Sequence, residues 1–291
     1  MLNALAPVAR NEEARCVPSL GSPVGSPVFS EGIDDVVPSI IYLRTDSVET
    51  IEHEGRKLEV WLRDPKNGNT EPKIMSTTGT GFLVKRGTRT FLVTAQHVAS
   101  SLTARSIATL RLPDKSGRVV PLKKFLLGEW RMHPSADAAA VEIAPSLEGI
   151  ELSNSALSYE LISPEPVTPS RSLRLAVIGF PLSLGLGKTV SPITRETMAA
   201  SGPLDLPRFD NHVVSAFFLL QDPSVGGFSG SPVCDFHLPS LYSGEITFRS
   251  GGVICYGLVH GTISDNTGGK FAAIVPSIFI RQLIDQWFSG K

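Results

Sequence analysis

The sequence predicts an all-β protein made of two antiparallel β units and closed by one α-helix. Three observations lead there. Short apolar or alternating runs recur along most of the chain, bounded by turn residues. Gly (26) and Pro (22) are abundant in the 291 residues while aromatics make up 7%, a balance that suits strands and turns better than long helices. Helical spacing of apolar residues occurs only at the C-terminus.

Taken in order, residues 1–37 are polar, rich in Pro, Gly and Ser, and have no period. They read as a flexible N-terminal arm. The first β unit spans 38–148. "SIIYLRT" and "LEVWLRD" alternate or run apolar, and "TGFLVKRGTRTFLVTAQHVA" (Thr80 to Ala99) reads as a β-hairpin turning near Arg86–Gly87. "SIATLRLP", "VVPLKKFLL" and "DAAAVEIA" continue the series. Residues 149–171 are looser and rich in Pro and Ser, and form the connection. The second β unit, 172–291, carries "LRLAVIGFP", "HVVSAFFLLQ", "GGVICYGLVHGTI" and "KFAAIVP". It ends in "SIFIRQLIDQWF", whose apolar residues at 278, 279, 280, 283, 284, 287 and 288 have the spacing of an amphipathic helix.

Charge and cysteine content exclude several classes. A net charge of -1 gives no electrostatic footprint for nucleic acid or an anionic membrane. The cluster "KRGTR" at Lys85 to Arg89 reads as a solvated hairpin tip. Three cysteines, Cys16, Cys234 and Cys255, argue against a disulfide framework and for a reducing, cytoplasmic setting, while the sequence leaves a single Cys234–Cys255 bridge open. No basic start followed by an apolar stretch marks a secretory signal. No apolar run reaches the roughly 18 residues that a transmembrane helix requires. No two His or Cys have ligand spacing on one element, so no metal is expected, and no cofactor.

The residues with chemistry are scattered but each has a defined local setting. A serine hydrolase needs a hydroxyl, an imidazole to take its proton, a carboxylate to orient the imidazole, and backbone N–H groups for the oxyanion. In "GGFSGSP", Ser229 is flanked by Gly227 and Gly230, which allow positive φ and parallel N–H groups. The N–H groups of Gly227 and Ser229 are the candidate oxyanion hole. The same tetrapeptide GSPV occurs twice in the arm, at Gly21 to Val28, without that Gly frame. His97 ends an apolar strand in "FLVTAQHVAS". Asp137 heads a small apolar strand in "HPSADAAAVEIAP", where a carboxylate is buried and needs a partner. Each signal alone also fits a structural residue: a Gly-rich turn, a core histidine, a turn aspartate. The order His, Asp, Ser, each at a strand edge, is the more specific pattern.

These pieces resemble the trypsin-like (chymotrypsin-fold) serine peptidases, and within them the HtrA-like branch that is poor in disulfides. "TGTGFLV" with "VTAQHV" is similar to the family's histidine strands, "DAAAVEI" to its aspartate strand, "LAVIGFPLSLGLGKTVSPI" to an HtrA-type segment, and "GGFSGSPV" to its serine motif. The resemblance covers residues 38 to 290. It implies two six-stranded antiparallel β-barrels packed face to face, with the site in the cleft between them. It implies Ser229 as nucleophile, His97 as general base then acid, and Asp137 as orienting carboxylate. A protein or peptide is the implied substrate, with no nucleic acid or membrane partner.

Some positions depart from the family pattern. Phe228 precedes the serine where secreted trypsin-type enzymes carry an Asp that pairs with a newly cut N-terminus, so activation of that kind is not expected. Ala138 is smaller than the usual residue. No PDZ module is expected after the terminal helix. The candidate substrate pocket comprises Pro223, Asp222, His260 and Thr262. Pro223 falls at the family's specificity position and Asp222 is offset from it, so a preference for Arg or Lys is not supported. His260 resembles the His that reads the substrate side chain in glutamate-selective relatives, but is shifted by one residue toward a position that touches Asp137. A catalytically latent binding module on the same fold is the alternative. An α/β-hydrolase is excluded by the order of the residues and by the lack of a parallel βαβ pattern.

Overall fold

The computed structural model describes residues 36–53, 56–64, 68–165, 168–235, 240–242, 245–247, 253–264 and 267–289. The predicted arm as far as residue 35, Cys16 with it, lies outside them.

The first unit is an eight-stranded sheet. Its strands are β1 (Ile40–Val48), β2 (Ile74–Arg86), β3 (Arg89–Thr94), β4 (Ile107–Arg111), β5 (Gly117–Pro121), β6 (Arg131–Met132) and β7 (Ala139–Ile143), with Leu157–Ser158 alongside β2. The order is β6-β7-β3-β2-β1-β4-β5. Leu157–Ser158 pairs parallel, so part of the predicted loose connection adds to the sheet. Arg86 pairs with Arg89 across the predicted hairpin, and Gly87 at φ 59° supplies the turn. "LEVWLRD" is interrupted at Val60 and contributes to two short exposed hairpins, between β1 and β2, rather than to the sheet. After β3 the chain turns into a short helix, α1 (Gln96–Ser101), which carries His97 in its first turn.

The second unit is a seven-stranded sheet of β8 (Arg174–Gly179), β9 (Ile193–Met198), β10 (Leu204–Pro207), β11 (Val214–Leu220), β12 (Pro232–Asp235), β13 (Ile254–Ser264) and β14 (Lys270–Pro276). The order is β9-β8-β12-β13-β14-β11-β10. The strands thus number eight and seven where the resemblance implied six each. Opposite β14, Val259 pairs with Ile274 and Gly261 with Ala273, leaving His260 as the extra residue of a β-bulge. A bulge re-aims the side chain it carries. Cys234 and Cys255 face each other across β12 and β13 as free, buried thiols. The hydrogen bond with Cys255, and then burial, push the Cys234 thiol well up, so it keeps its proton.

The units share a core. Phe82, Leu92 and Val93 of the first belong to one apolar cluster with Ile178, Phe217 and Leu258 of the second. A second cluster of Leu175, Val177, Phe218, Phe228 and Val233 fills the interior of the second sheet. The terminal helix α2 (Ser277–Asp285) buries Ile280, Leu283 and Ile284 against β7 and β13. That is the predicted apolar face, and it ties the end of the chain to both units. Arg86 pairs with Asp285 and stacks on Tyr159 and Phe288 at the same junction. Among the described residues, no helix is long and apolar enough to cross a membrane.

Candidate active site

Thr80 joins the two units. Its N–H donates to the Ser229 carbonyl (2.9 Å), its hydroxyl donates to the Gly227 carbonyl (2.8 Å), and the same hydroxyl accepts from Phe180 N–H (3.0 Å). Its carbonyl accepts from Thr94 Oγ1 at 2.7 Å. A single Thr in "TGTGF" thereby fixes the serine turn against the histidine hairpin.

The glycines of the turn are required by space as well as by dihedral. Gly227 has φ 97° and Gly230 φ 84°. A Cβ at Gly227 would lie 2.4 Å from the Phe180 carbonyl oxygen, and one at Gly230 would lie 2.1 Å from that of Thr80. Among the described residues, no backbone carbonyl accepts from the N–H of Gly227 or Ser229, whereas Phe228 N–H donates to Val225 and Gly230 N–H to Val259. The Gly226 carbonyl is engaged by Leu182 N–H at 2.7 Å. Phe228 itself is buried in the interior of the second sheet.

Asp137 is 0% exposed. Its carboxylate accepts four hydrogen bonds. Oδ1 takes the backbone N–H of His97 (2.9 Å) and an N–H of Arg208 (3.1 Å); Oδ2 takes His97 Nδ1 (2.7 Å) and His260 Nδ1 (2.5 Å). Burial alone would raise its pKa. The bonds from His260 and His97 outweigh that and hold the carboxyl well below the usual carboxylate range. Phe209 N–H donates to His260 Nε2 at 3.4 Å. With Nε2 accepting, His260 Nδ1 carries the proton given to Asp137. The ring and carboxylate ligand atoms of His97, Asp137 and His260 lie within 4.8 Å of one another. The fixed charge of Arg208 in the same cluster opposes a metal cation there.

Ser229 enters the cluster through His260. Its hydroxyl donates to the His260 carbonyl at 3.1 Å, and the His260 ring lies edge-on to His97 with centroids 5.7 Å apart. His97, Asp137 and Ser229 are thereby brought to one place from three separate elements.

The four candidate pocket residues do not share one wall. Asp222 and Pro223 line a cavity of about 10 Å3 with Ser224 and Phe228. Asp222 lies 3.5 Å from Arg195, which also donates to the Pro223 carbonyl at 2.8 Å. Thr262 turns toward the same wall, its hydroxyl donating to the Ser224 carbonyl at 2.7 Å. His260 is turned away from it, toward Asp137, because it occupies the bulge.

Arg208, Phe209 and Thr80 are the site residues that sequence reasoning did not single out. Arg208 is 2% exposed and also pairs with Asp210 and Gln96. "LPRFDN" looks like a polar turn, and nothing local marks its Arg as buried. The neighbouring Phe209 is the one signal that could have drawn attention to it.

The sequence matches the trypsin-like peptidase domain over residues 79–238, more than half of the chain. No curated protein matches it at the sequence level. Among solved structures, the HtrA-type protease AlgW with a decapeptide is 15% identical and superposes with a TM-score of 0.52, covering 91% of this chain and 69% of that one. AlgW with a tripeptide is 12% identical at a TM-score of 0.51, covering 90% and 64%. The protease domain of MamO from Magnetospirillum magneticum is 12% identical at a TM-score of 0.49, covering 86% and 97%. The chain thus spans about two thirds of the AlgW chains, and at these identities the likeness is one of fold. The matched segment runs from Gly79, beside Thr80, through His97, Asp137 and Ser229, and on that match the chain belongs to the trypsin-like peptidase domain family.

Proposed function

We propose that the chain is a serine endopeptidase that cleaves protein or peptide substrates through Ser229, His97 and Asp137. The observation that carries this reading is the Asp137 carboxylate, fully buried and bonded to both His97 Nδ1 (2.7 Å) and His260, whose carbonyl accepts from Ser229 on a turn with glycines at positive φ. In this reading Ser229 Oγ bonds to the substrate carbonyl carbon while its proton passes to His97 Nε2. The N–H groups of Gly227 and Ser229 meet the negative oxygen. The C–N bond then breaks, and His97 returns the proton to the leaving amine. Water, deprotonated by the same imidazole, hydrolyses the acyl group on Ser229. Asp137 holds the imidazole in the required tautomer and stays ionised, as its depressed pKa requires.

A basic substrate side chain is not favoured at the cleaved residue, because Arg195 offsets the charge of Asp222. The cavity beside Pro223, about 10 Å3, has room for roughly one water and offers no ready-made pocket for a large side chain. Free thiols at Cys234 and Cys255, opposed but unbridged, fit a reducing compartment.

One observation favours a latent enzyme or a binding module on the same fold. The Ser229 hydroxyl donates to the His260 carbonyl, so it has to rotate before it can give its proton to His97. Labelling with a fluorophosphonate at neutral pH separates the readings. Labelling of the wild type, lost in Ser229→Ala and His97→Ala, supports the peptidase. No labelling of the folded wild type overturns it in favour of the latent or binding form.

A further inference from the structure

We infer that Tyr42, on β1 of the first unit, is a positioning residue for the oxyanion donor at Gly227, and that it acts through Ser183. The inference rests on the peptidase reading of the site. Leu182 and Ser183 have φ 51° and 59°, and among the described residues they are the only successive pair of non-Gly residues in the left-handed region. That conformation is costly for any residue with a Cβ and more so for a bulky one. Burial does not offset the cost, since Leu182 is 68% exposed. Strain of this kind persists only where surrounding contacts over-determine the backbone.

Four contacts hold the turn. Leu182 N–H donates to the Gly226 carbonyl at 2.7 Å, Ser183 N–H to the Phe180 carbonyl at 3.2 Å and Leu184 N–H to the Pro181 carbonyl at 2.8 Å. The Ser183 hydroxyl shares a hydrogen bond of 2.9 Å with the Tyr42 hydroxyl, and this contact crosses to the first unit. Tyr42 is itself firmly held. It is 4% exposed, its ring meets Phe180 edge-on at 5.6 Å, and it pairs with Thr80 across β1 and β2. One rung of that ladder therefore bears on the serine turn twice. Thr80 bonds the Gly227 carbonyl, and Tyr42 bonds the turn that holds the Gly226 carbonyl.

The planar trans peptide turns these ties into a direction. Its C=O and N–H point opposite ways. The unit between Gly226 and Gly227 supplies both the carbonyl that Leu182 holds and the N–H offered to the oxyanion, so fixing one aims the other. Neither glycine has a side chain to set that plane, and its direction comes from outside the turn. The path runs from the Tyr42 hydroxyl through Ser183 and Leu182 to the Gly226 carbonyl. Without the hydroxyl, Leu182 and Ser183 relax toward negative φ, the carbonyl is released and the Gly227 N–H swings away.

Tyr42→Phe tests this, because it removes the hydroxyl and keeps the ring on Phe180. The expected result is a fall in kcat of about tenfold or more with KM within about twofold, since the donor serves charge that develops after binding. A peptide aldehyde bonds through its carbonyl carbon to Ser229 Oγ, passes the serine proton to His97 and places its negative oxygen at the same donors. It should lose affinity by a similar factor. The corresponding peptide amide should bind Ser229→Ala equally with and without Tyr42→Phe. Ser183→Ala should reproduce Tyr42→Phe, and the double variant should be within about twofold of either single, because both cut one tie. NMR of protein labelled with 15N-glycine reads the Gly227 N–H without turnover, and its signal should split or broaden in both single variants. Unchanged kcat and aldehyde affinity in Tyr42→Phe, losses that multiply in the double variant, or an unaltered Gly227 signal each overturn the tie. A Gly227 signal that splits in Tyr42→Phe, in a protein whose wild type neither hydrolyses peptides nor labels with fluorophosphonate, leaves the tie standing and overturns the peptidase reading.

Discussion

Arg208 of the second unit donates to Asp137 of the first at 3.1 Å, and both side chains are buried. The guanidinium also satisfies Asp210 and Gln96, so its donors are spread over three elements. A buried ion pair adds little net stability, because desolving both charges offsets their attraction. Removing one partner is another matter, since the remaining charges stay buried.

Arg208→Ala is therefore expected to cost about 3 kcal/mol of stability, seen as a lower urea midpoint. It strips Asp210 of its partner and leaves a cavity at the junction of the units. Arg208→Lys should recover part of the loss, because the ammonium keeps the charge but not the fork that reaches Asp137 and Asp210 together. A midpoint unchanged in Arg208→Ala would show that the pair is not part of the fold's support.

Asp137→Asn tests the carboxylate twice. Turnover should fall by about 10^4, because an amide cannot hold the same imidazole tautomer. The sign of the pH effect follows from the depressed pKa. The unfolded chain takes up the proton near pH 4, before the folded protein does. The stabilisation is present above that pH and is lost as pH falls toward the folded pKa. The variant should be less stable at pH 7 and should lose less stability on acidification than the wild type, measured by urea melts at pH 7 and pH 3.

Phe228→Asp should destabilise the protein severely. The residue is 3% exposed among Val177, Leu220 and Val233, and the one cation that lines the same cavity, Arg195, is already engaged by Asp222 and the Pro223 carbonyl. An ionised carboxylate there has no partner, and the expected cost is several kcal/mol. Circular dichroism with thermal melting checks it. A well-folded variant would mean that a buried counter-charge is available after all, as in enzymes that pair an Asp here with a new N-terminus.

His133 shapes the loop that delivers Asp137. Its Nδ1 accepts the Ala136 N–H at 3.0 Å, and its Nε2 meets Gln282 of α2 at 2.9 Å. Burial lowers its pKa and Arg208 adds to that, against the opposing Gln282 bond. Between the folded pKa and the unfolded value near 6.5, the unfolded chain binds the extra proton. Stability is full above about pH 6.5 and falls as pH drops below it. His133→Gln should shrink the stability difference between pH 7 and pH 5. An unaltered difference would show that His133 does not titrate in this range.

Much of this arrangement was legible in the sequence, and the legible part has a common cause. Ser229 is marked by glycines that its own turn requires, His97 by the strand that ends beside it, and Asp137 by the small residues that bury it. Each signal is local. Arg208 is not marked, because its burial depends on partners 71 and 112 positions away. His260 was placed near Asp137 from its offset in the strand, and the bulge that turns it there depends on the register with β14. "LEVWLRD" (58–64) reads as a sheet strand from its apolar content, yet it falls in outlying hairpins that leave Trp61 and Leu62 exposed. Alternation predicts extended backbone, and it does not say which strand lies alongside.

The cluster around Asp137 draws His97 from one half of the molecule and Ser229, His260 and Arg208 from the other. Neither half holds the full set. A protein severed within residues 149–171 would yield two fragments that are each incompetent and jointly complete. Their regained activity would rise with the product of the two fragment concentrations, until docking saturates. The cluster is in that sense a latch between halves, and on the peptidase reading any agent that pries them apart inhibits without touching the cluster itself.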